Sequence, residues 1–232
     1  MSSTAIVTGA SKGIGKATAA KFLDAGCRVI NLSRTACDID GVDNFTIDLT
    51  AADAADQAHV VTQKLQPGKF HLIHNAARLT SESVRDIDID DFRRTIEINI
   101  VAAQMLNGTL LPLMQPGSSI IYVGSTLSDK AVPGSYSYVV TKHANIGMMR
   151  ATCQDLAGSG IHTACVCPGF TDTEMLRAHV GDSEEILQSI AAGSTFGRLI
   201  TPGEIAETLF FAAGNPVVNG SVIHANLGQI ES

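Results

Sequence analysis

The chain has an odd number of cysteines, and none of them has the short spacing typical of redox or zinc motifs. Its five cysteines include no C-x-x-C sequence, which argues against a framework of paired disulfides. Cys165 and Cys167 lie two residues apart in an apolar run, where they would share one face of a strand. We therefore expect buried free thiols in a protein of the reducing cytoplasm.

Positive charge is also scarce. The 232 residues include 16 Lys and Arg against 23 Asp and Glu, a formal net charge of −7, with no run of basic residues. Nothing in this pattern would neutralise a row of nucleic-acid phosphates. The charge pattern therefore predicts that nucleic acid is not a partner.

Metal-ligand spacing and targeting signals are missing as well. The seven histidines, at positions 59, 71, 74, 143, 162, 179 and 224, show no H-E-x-x-H or comparable pattern, so we expect no catalytic metal.

The first residues have no basic segment followed by an apolar stretch, so no export signal is predicted. Residues 98–128 are uncharged, but several amides and Pro116-Gly117 interrupt them. We expect a buried helix, a turn and a buried strand there rather than a membrane span.

Short β-rich runs alternate with longer helical patterns along the chain. The candidate strands are Ala5 to Thr8, Val29 to Leu32, Phe45 to Ile47, Phe70 to His74, Ser119 to Val123, His162 to Val166 and Val222 to His224. This alternation is typical of βαβ crossovers and of a parallel sheet covered on both faces. Since no linker, repeat or composition break divides the chain, the sequence predicts one α/β domain over residues 1–232. The expected fold is a Rossmann-like, doubly wound sheet of about seven strands.

A glycine-rich loop follows the first predicted strand and opens a helix. It reads Thr8-Gly9-Ala10-Ser11-Lys12-Gly13-Ile14-Gly15. Three glycines let the backbone turn sharply and approach a pyrophosphate, while the helix amino terminus offers free N–H groups. A P-loop does not fit, because its Ser/Thr would fall on Ala17 and leave nothing to hold magnesium. We interpret the loop as the phosphate site of a dinucleotide; the alternative is an ordinary glycine-rich turn.

Tyr138 has a lysine four residues later, Lys142. This spacing puts both side chains on one face of a helix. A phenol of pKa about 10 needs nearly 3 kcal/mol to become a useful acid-base group near neutrality. An ammonium about 4 Å away supplies roughly 1 kcal/mol in water but about 4 kcal/mol at an effective dielectric of 20. The pair is therefore expected in a partly desolvated cleft, although Y-x-x-x-K alone is a weak signal.

Several features together resemble the short-chain dehydrogenase/reductase family. They are T-G-x-x-x-G-x-G at 8–15, Asn75-Ala76, Asn99, Ser125, Tyr138 with Lys142, and Pro168-Gly169-x-x-x-Thr173. The match covers essentially the whole chain in the family's order and spacing. The resemblance implies an oxidoreductase that moves a hydride between a nicotinamide cofactor and a carbonyl or secondary alcohol.

By this resemblance the catalytic residues are Asn99, Ser125, Tyr138 and Lys142. Tyr138 would pass a proton to or from the substrate oxygen, which Ser125 would hold. Lys142 would lower the pKa of Tyr138 and bind the nicotinamide ribose, and Asn99 would anchor the water that links Lys142 to solvent. Each also has a plain structural alternative: a turn residue for Ser125, a buried helix amide for Asn99 and a solvated charge for Lys142.

The resemblance also implies the cofactor contacts. Asp48 and Leu49 would contact adenine, Asn75 and Ala76 would line the groove, and Thr173 would meet the nicotinamide amide. The complete expected set is Gly9, Ser11, Lys12, Gly13, Ile14, Gly15, Ser33, Arg34, Asp48, Leu49, Asn75, Ala76, Tyr138, Lys142, Pro168, Gly169, Thr171 and Thr173.

The chain departs from the family's pattern at two places. His74-Asn75-Ala76-Ala77 stands where the family commonly reads N-N-A-G, and Asn226-Leu227-Gly228 where it often has D-G-G. We interpret His74 as a neutral histidine hydrogen-bonded within the sheet rather than as a catalyst.

The end of the second strand predicts a preference for NADP(H). An NAD-selective site places an acid about twenty residues past the glycine loop, but no acid lies between Asp24 and Asp38. Ser33 occupies the expected acid position, Arg34 offers a planar phosphate-binding group, and Lys12 can approach from the other side. The alternatives are that both cations are solvated, or that Asp38 folds back to the ribose.

Two other functions remain open on the same scaffold: a dehydration or epimerisation, and a non-catalytic NADP(H)-binding regulator. We expect a small carbonyl or alcohol substrate, whose identity the sequence does not give. Because Ile98 to Leu113 and Val139 to Met149 are apolar on more than one face, a homo-oligomer is also expected, and the family's habit favours a tetramer.

Overall fold

A single seven-stranded parallel sheet forms the centre of the protein, in the order β3-β2-β1-β4-β5-β6-β7. The computed structural model describes residues 3–230. The strands are β1 (Thr4–Thr8), β2 (Arg28–Ser33), β3 (Val42–Thr46), β4 (Phe70–His74), β5 (Ser119–Val123), β6 (His162–Pro168) and β7 (Ser221–Ala225). All seven predicted strands are confirmed. For β3 the predicted range, Phe45 to Ile47, begins and ends later than the observed strand. Ile47 is buried in the core but lies just past the last residue of β3 that pairs with β2.

Helices cover both faces of the sheet, as predicted. They are α1 (Gly13–Asp24), α2 (Ala54–Thr62), α3 (Ile89–Ile96), α4 (Ala102–Leu110), α5 (Tyr136–Asp155), α6 (Glu174–Val180), α7 (Glu184–Ala191) and α8 (Pro202–Gly214). Alternate strand residues point to opposite faces, so Ile6 and Leu72 join one core with α2, α4 and α5, whereas Val7 and Ile73 join a second core with α1 and α8. The expected Rossmann-like, doubly wound architecture is confirmed.

The uncharged residues 98–128 form a buried helix, a turn and a buried strand, as the sequence predicted. A π-helical turn, Glu97–Val101, joins α3 to α4, and a 3-10 turn, Leu111–Leu113, follows. The whole segment Ile89–Leu113 is long and apolar enough to cross a membrane by length and composition alone. The core helix of a soluble protein meets the same criteria of length and composition. Ala102, Leu106 and Leu110 of this segment lie in the core that α2, α4 and α5 form with the sheet.

The carboxyl ends of the strands meet at one edge, which is where ligands bind in open α/β sheets. The strand order reverses between β1 and β4, so the glycine-rich loop after β1 lies beside the segment that follows β4. The segments after β5 and β6 complete this edge. Residues 171–195, predicted to be the least regular region, contain the two short helices α6 and α7.

Two of the histidines buried in the sheet lie on β4, His71 and His74. The Nδ1 of His71 lies 2.8 Å from Ser119 Oγ, and the Nε2 of His74 lies 2.8 Å from Asn107 Oδ1. Burial lowers the pKa of each from 6.5 to about 4. The interpretation of His74 as a hydrogen-bonded sheet residue is therefore confirmed, and both rings are neutral near pH 7.

These histidines make the fold acid-labile. Their folded-state pKa is depressed, so their contribution to stability is full above pH 6.5 and is lost as the pH falls towards 4. Each contributes roughly 3 kcal/mol over that interval. We expect His71→Gln to reduce the change in the free energy of unfolding between pH 7 and pH 4 by about this amount, measured by urea unfolding. His59→Gln, at an exposed position, is the matched control, and an equal effect of both variants would contradict the assignment.

Candidate active site

Tyr138 and Lys142 lie on the first two turns of α5, facing the carboxyl edge of the sheet. The Lys142 Nζ lies 5.3 Å from the centroid of the Tyr138 ring, so the predicted side-by-side placement is confirmed. Lys142 is only 3% exposed, and Tyr138 is half-buried. The expected desolvation of the pair is therefore confirmed.

The Lys142 ammonium is held by the end of β5. Its Nζ donates a hydrogen bond of 2.7 Å to the Val123 carbonyl. Burial lowers the pKa of Lys142 to about 8, although the neighbouring thiols of Cys165 and Cys167 act in the opposite direction. The ammonium is thus still mostly charged at neutral pH, but less firmly so than a solvated lysine.

The pKa of Tyr138 differs from the sequence-based expectation. Burial raises it to about 12, and the nearby Ser125 hydroxyl only partly opposes this rise. The sequence predicts that Lys142 lowers this pKa, but desolvation of the phenol is the larger effect in this structure. The ammonium is directed at the Val123 carbonyl.

Ser125 is fixed at the end of β5 by a reciprocal pair of hydrogen bonds. Its Oγ accepts from the Leu127 N–H at 3.1 Å, and its own N–H donates to Ser128 Oγ at 3.1 Å. The preceding residue must be glycine, because a Cβ on Gly124 would lie 2.7 Å from Cys167 Sγ. Ser125 is thus both a turn residue and a neighbour of the Tyr138 hydroxyl.

Asn99 lies in the π-helical turn and is 5% exposed. Its Oδ1 accepts from the Arg78 N–H at 2.8 Å, while its Nδ2 donates to the Arg78 carbonyl at 3.1 Å and to Thr141 Oγ1 at 2.9 Å. The amide therefore links the segment after β4 to α5. No sequence pattern indicated this structural link.

The glycine-rich loop has the geometry that a dinucleotide phosphate requires. Gly9 and Gly13 have φ angles of +69° and +55°, which favour glycine. A Cβ on Gly15 would lie 2.2 Å from the Gly9 carbonyl oxygen. Lys12 is the N-cap residue of α1 and, within the described chain, no side chain caps the first N–H groups of that helix. Those donors suit a pyrophosphate.

Asn75 and Ala76 hold this loop against the end of β4. The N–H groups of both residues donate to Thr8 Oγ1 at 2.9 Å, and Asn75 Nδ2 donates to the Thr8 carbonyl at 3.0 Å. A Cβ on Gly9 would lie 3.2 Å from the Ala76 Cα. The predicted groove residues therefore adjoin the phosphate loop.

The residues predicted to select the cofactor lie at the end of β2, where Arg34 follows Ser33, and in the glycine-rich loop, where Lys12 precedes α1. Arg34 and Lys12 are exposed, and the Ser33 hydroxyl donates to the Thr35 carbonyl. Asp38 forms a 2.7 Å ion pair with Lys16 of α1. This carboxylate is thus engaged by a lysine, and the region around Arg34 keeps its exposed positive charge.

The remaining predicted contacts are divided between the two sides of the groove. Asp48 accepts two hydrogen bonds from Thr50, and Leu49 is buried in the core. After β6, which ends at Pro168, the Gly169 N–H donates to the Ala225 carbonyl at 3.0 Å. Thr171 is also buried and donates to the Gly169 carbonyl at 3.0 Å.

Thr173 brings the start of α6 to the glycine-rich loop. Its Oγ1 caps α6 by accepting from the Leu176 N–H at 3.3 Å. Its methyl group would lie 3.3 Å from a Cβ on Gly13. The structure thus places Thr173 beside the phosphate loop, although the two segments are far apart in the sequence.

Comparisons with known proteins agree with this geometry. Residues 9–229 match a family model described as enoyl-(acyl carrier protein) reductase. The 2-keto-3-deoxy-L-fuconate dehydrogenase of Xanthomonas campestris pv. campestris is 30% identical over 220 residues, covering 90% of this chain and 73% of that protein. An NADPH-dependent aldehyde reductase-like chloroplastic protein of Arabidopsis thaliana is 28% identical, covering 97% of this chain and 93% of that protein.

A solved structure shows the same architecture. The ligand-free aldohexose dehydrogenase of Thermoplasma acidophilum superposes with a TM-score of 0.90 at 25% identity, covering 98% of this chain and 93% of that one. The likeness extends over nearly the whole chain and includes the edge where Tyr138 and Lys142 lie.

Proposed function

Because the chain belongs to the short-chain dehydrogenase/reductase family, and the relatives named above are dehydrogenases or reductases, we propose that it is an NADP(H)-dependent enzyme acting on a carbonyl or secondary alcohol. The observation that carries this proposal is the buried Lys142 beside the Tyr138 ring, with Ser125 at the phenol. Asn99 belongs to the same site, because its amide donates to Thr141 on α5.

Each residue has a distinct task in the proposed reaction. When bound, the nicotinamide supplies or takes up the hydride. Ser125 holds the substrate oxygen by a hydrogen bond, and Tyr138 donates a proton to that oxygen during reduction. The Tyr138 phenol, whose pKa burial raises to about 12, is protonated at neutral pH, as a donor must be. Lys142 would bind the nicotinamide ribose and keep positive charge in the cleft.

The cofactor groove supports NADP(H) in particular. Arg34 and Lys12 are exposed cations that the resemblance assigns to the region of the adenine ribose, and Ser33 stands where an acid would select NAD. Asp38 is paired with Lys16 at 2.7 Å. The Arabidopsis relative is named as NADPH-dependent.

We further propose that the enzyme is a cytoplasmic homotetramer. Val101, in the π-helical turn, and Val140, on α5, are 42% and 38% exposed, although their helices pack beside each other. Apolar side chains exposed on adjoining helices are typical of subunit contacts. The described cysteines are all free, as expected in a reducing compartment.

Removal of the Tyr138 hydroxyl tests the mechanism. Tyr138→Phe removes the proton donor, so turnover should fall by about 100-fold or more while the dissociation constant of NADPH changes little. Turnover is followed at the nicotinamide absorbance band with a panel of carbonyls and alcohols. Tyr136→Phe, two residues earlier on the same helix and 41% exposed, is the control, and loss of turnover in both variants would show a general defect.

The cofactor preference is tested at Arg34. Two cations near a phosphate are worth about 2 to 4 kcal/mol, a preference for NADPH over NADH of roughly 30-fold to 1000-fold that weakens with added salt. Arg34→Asp should abolish most of this preference in kcat/KM. Arg93→Asp makes the same charge change at an exposed position on α3 and should leave the preference intact. Equal use of both cofactors by the unmodified protein would refute the assignment.

The proposed assembly is tested by light scattering at micromolar concentration. We expect a mass of four times the 24.3 kDa chain. A charge buried in a subunit contact is costly, so Val140→Lys should shift the mass downward. Val60→Lys, at a 51% exposed position on α2, should not. A monomer of the unmodified protein would refute the proposal.

A further inference from the structure

A short segment after β4 connects the site residues to one another. Residues 78–83, here called the strap, run from Asn99 to the amino terminus of α5. At the first end, both backbone polar groups of Arg78 bind the Asn99 side chain, at 2.8 and 3.1 Å. The Arg78 guanidinium also donates to the Asp91 carbonyl and carboxylate at 2.9 and 2.8 Å. The strap is therefore firmly anchored to α3 and to the π-helical turn.

At its other end the strap contacts the first turn of α5 through Glu82. One carboxylate oxygen of Glu82 accepts from the Ser137 N–H at 2.9 Å and from the Ser137 hydroxyl at 2.5 Å. The backbone adds two bonds, from the Glu82 N–H to the Gly134 carbonyl at 3.2 Å and from the Tyr136 N–H to the Glu82 carbonyl at 3.3 Å. Four hydrogen bonds thus join this one residue to residues 134–137.

These contacts supply a cap that α5 does not provide itself. Ser135 is the N-cap residue of the helix, and within residues 3–230 its side chain makes no capping hydrogen bond. A carboxylate that accepts from an N–H in the first turn satisfies a free donor and interacts favourably with the positive end of the helix. Glu82 therefore caps α5 from a segment more than fifty residues earlier in the chain.

The capped residue is the immediate neighbour of Tyr138. Ser137 is 1% exposed, so its bonds to Glu82 are shielded from water. Burial alone would raise the pKa of Glu82, but the hydrogen bonds from Ser137 and the charge of Arg78 lower it overall. The carboxylate is thus ionised at neutral pH and can accept both bonds.

We propose that Glu82 is a positioning residue for the reaction: by accepting two hydrogen bonds from Ser137, it fixes the turn of α5 that carries Tyr138. This inference rests on the proposed function, because it assigns Tyr138 as the proton donor. Glu82 itself contacts neither of the proposed reacting groups. Its effect falls on the proton-transfer step, since a small displacement of a catalytic group can cost about 100-fold in rate, while the glycine-rich loop is unaffected.

The test compares Glu82→Ala with Glu82→Gln. The alanine variant loses both bonds to Ser137, so we expect kcat to fall by about 10-fold to 100-fold, with KM and the NADPH dissociation constant within about 2-fold of the parent values. The glutamine variant keeps an acceptor oxygen and should recover most of the lost kcat. Asp53→Ala is the control: the exposed Asp53 carboxylate binds Gln57 on α2, away from the strap, and the kcat of this variant should not change.

Hydrogen exchange separates the failure of this inference from the failure of the proposed function. The amides of residues 136–139 should exchange faster in Glu82→Ala than in the parent or in Asp53→Ala. Faster exchange with unchanged kcat would overturn the positioning role and leave Glu82 as a simple helix cap. Unchanged exchange would overturn the inference altogether. If the parent turned over no carbonyl or alcohol, the proposed function would fail, while the exchange comparison would still decide whether Glu82 holds the turn that carries Tyr138.

Discussion

The burial of one charged side chain, Lys142, constrains the whole carboxyl edge of the sheet. An ammonium that is 3% exposed loses most of its hydration, which disfavours the charged form unless protein groups replace the water. The Val123 carbonyl does so at 2.7 Å. This bond requires α5 to lie close against the end of β5. The next residue, Gly124, must be glycine for a different reason, because a Cβ there would lie 2.7 and 2.9 Å from the thiols of Cys167 and Cys165 on β6.

The features that sequence reasoning could predict are local or periodic. The glycine spacing at 9–15 follows a strand and begins a helix, and each glycine is explained by a φ angle or a close contact in the structure. The separation of Tyr138 and Lys142 is one helical turn, which fixes their relative placement without knowledge of the tertiary fold. Alternation of apolar runs likewise predicts the strands, although Ile47 shows that burial extends beyond a ladder.

The features that could not be predicted depend on contacts between distant segments. Glu82 and Ser137 are 55 residues apart, and Arg78 and Asn99 are 21 residues apart. No periodic pattern marks either pair, and a glutamate in a polar loop is usually solvated. The polar chain from His74 through Asn107 to Tyr122 also depends on three separate elements. Residue type indicated that His74 was buried and paired, but not with which partner.

The direction of the pKa shift at Tyr138 likewise depends on the tertiary fold, because burial of the phenol decides it. Spacing alone suggested that Lys142 would lower the pKa, whereas burial raises it to about 12. To ionise this phenol at pH 7 would require roughly 7 kcal/mol. An ammonium about 4 Å away supplies only about 4 kcal/mol at an effective dielectric of 20, and here the ammonium is directed at a carbonyl. The protein's own groups therefore keep the Tyr138 phenol protonated near neutral pH in this structure.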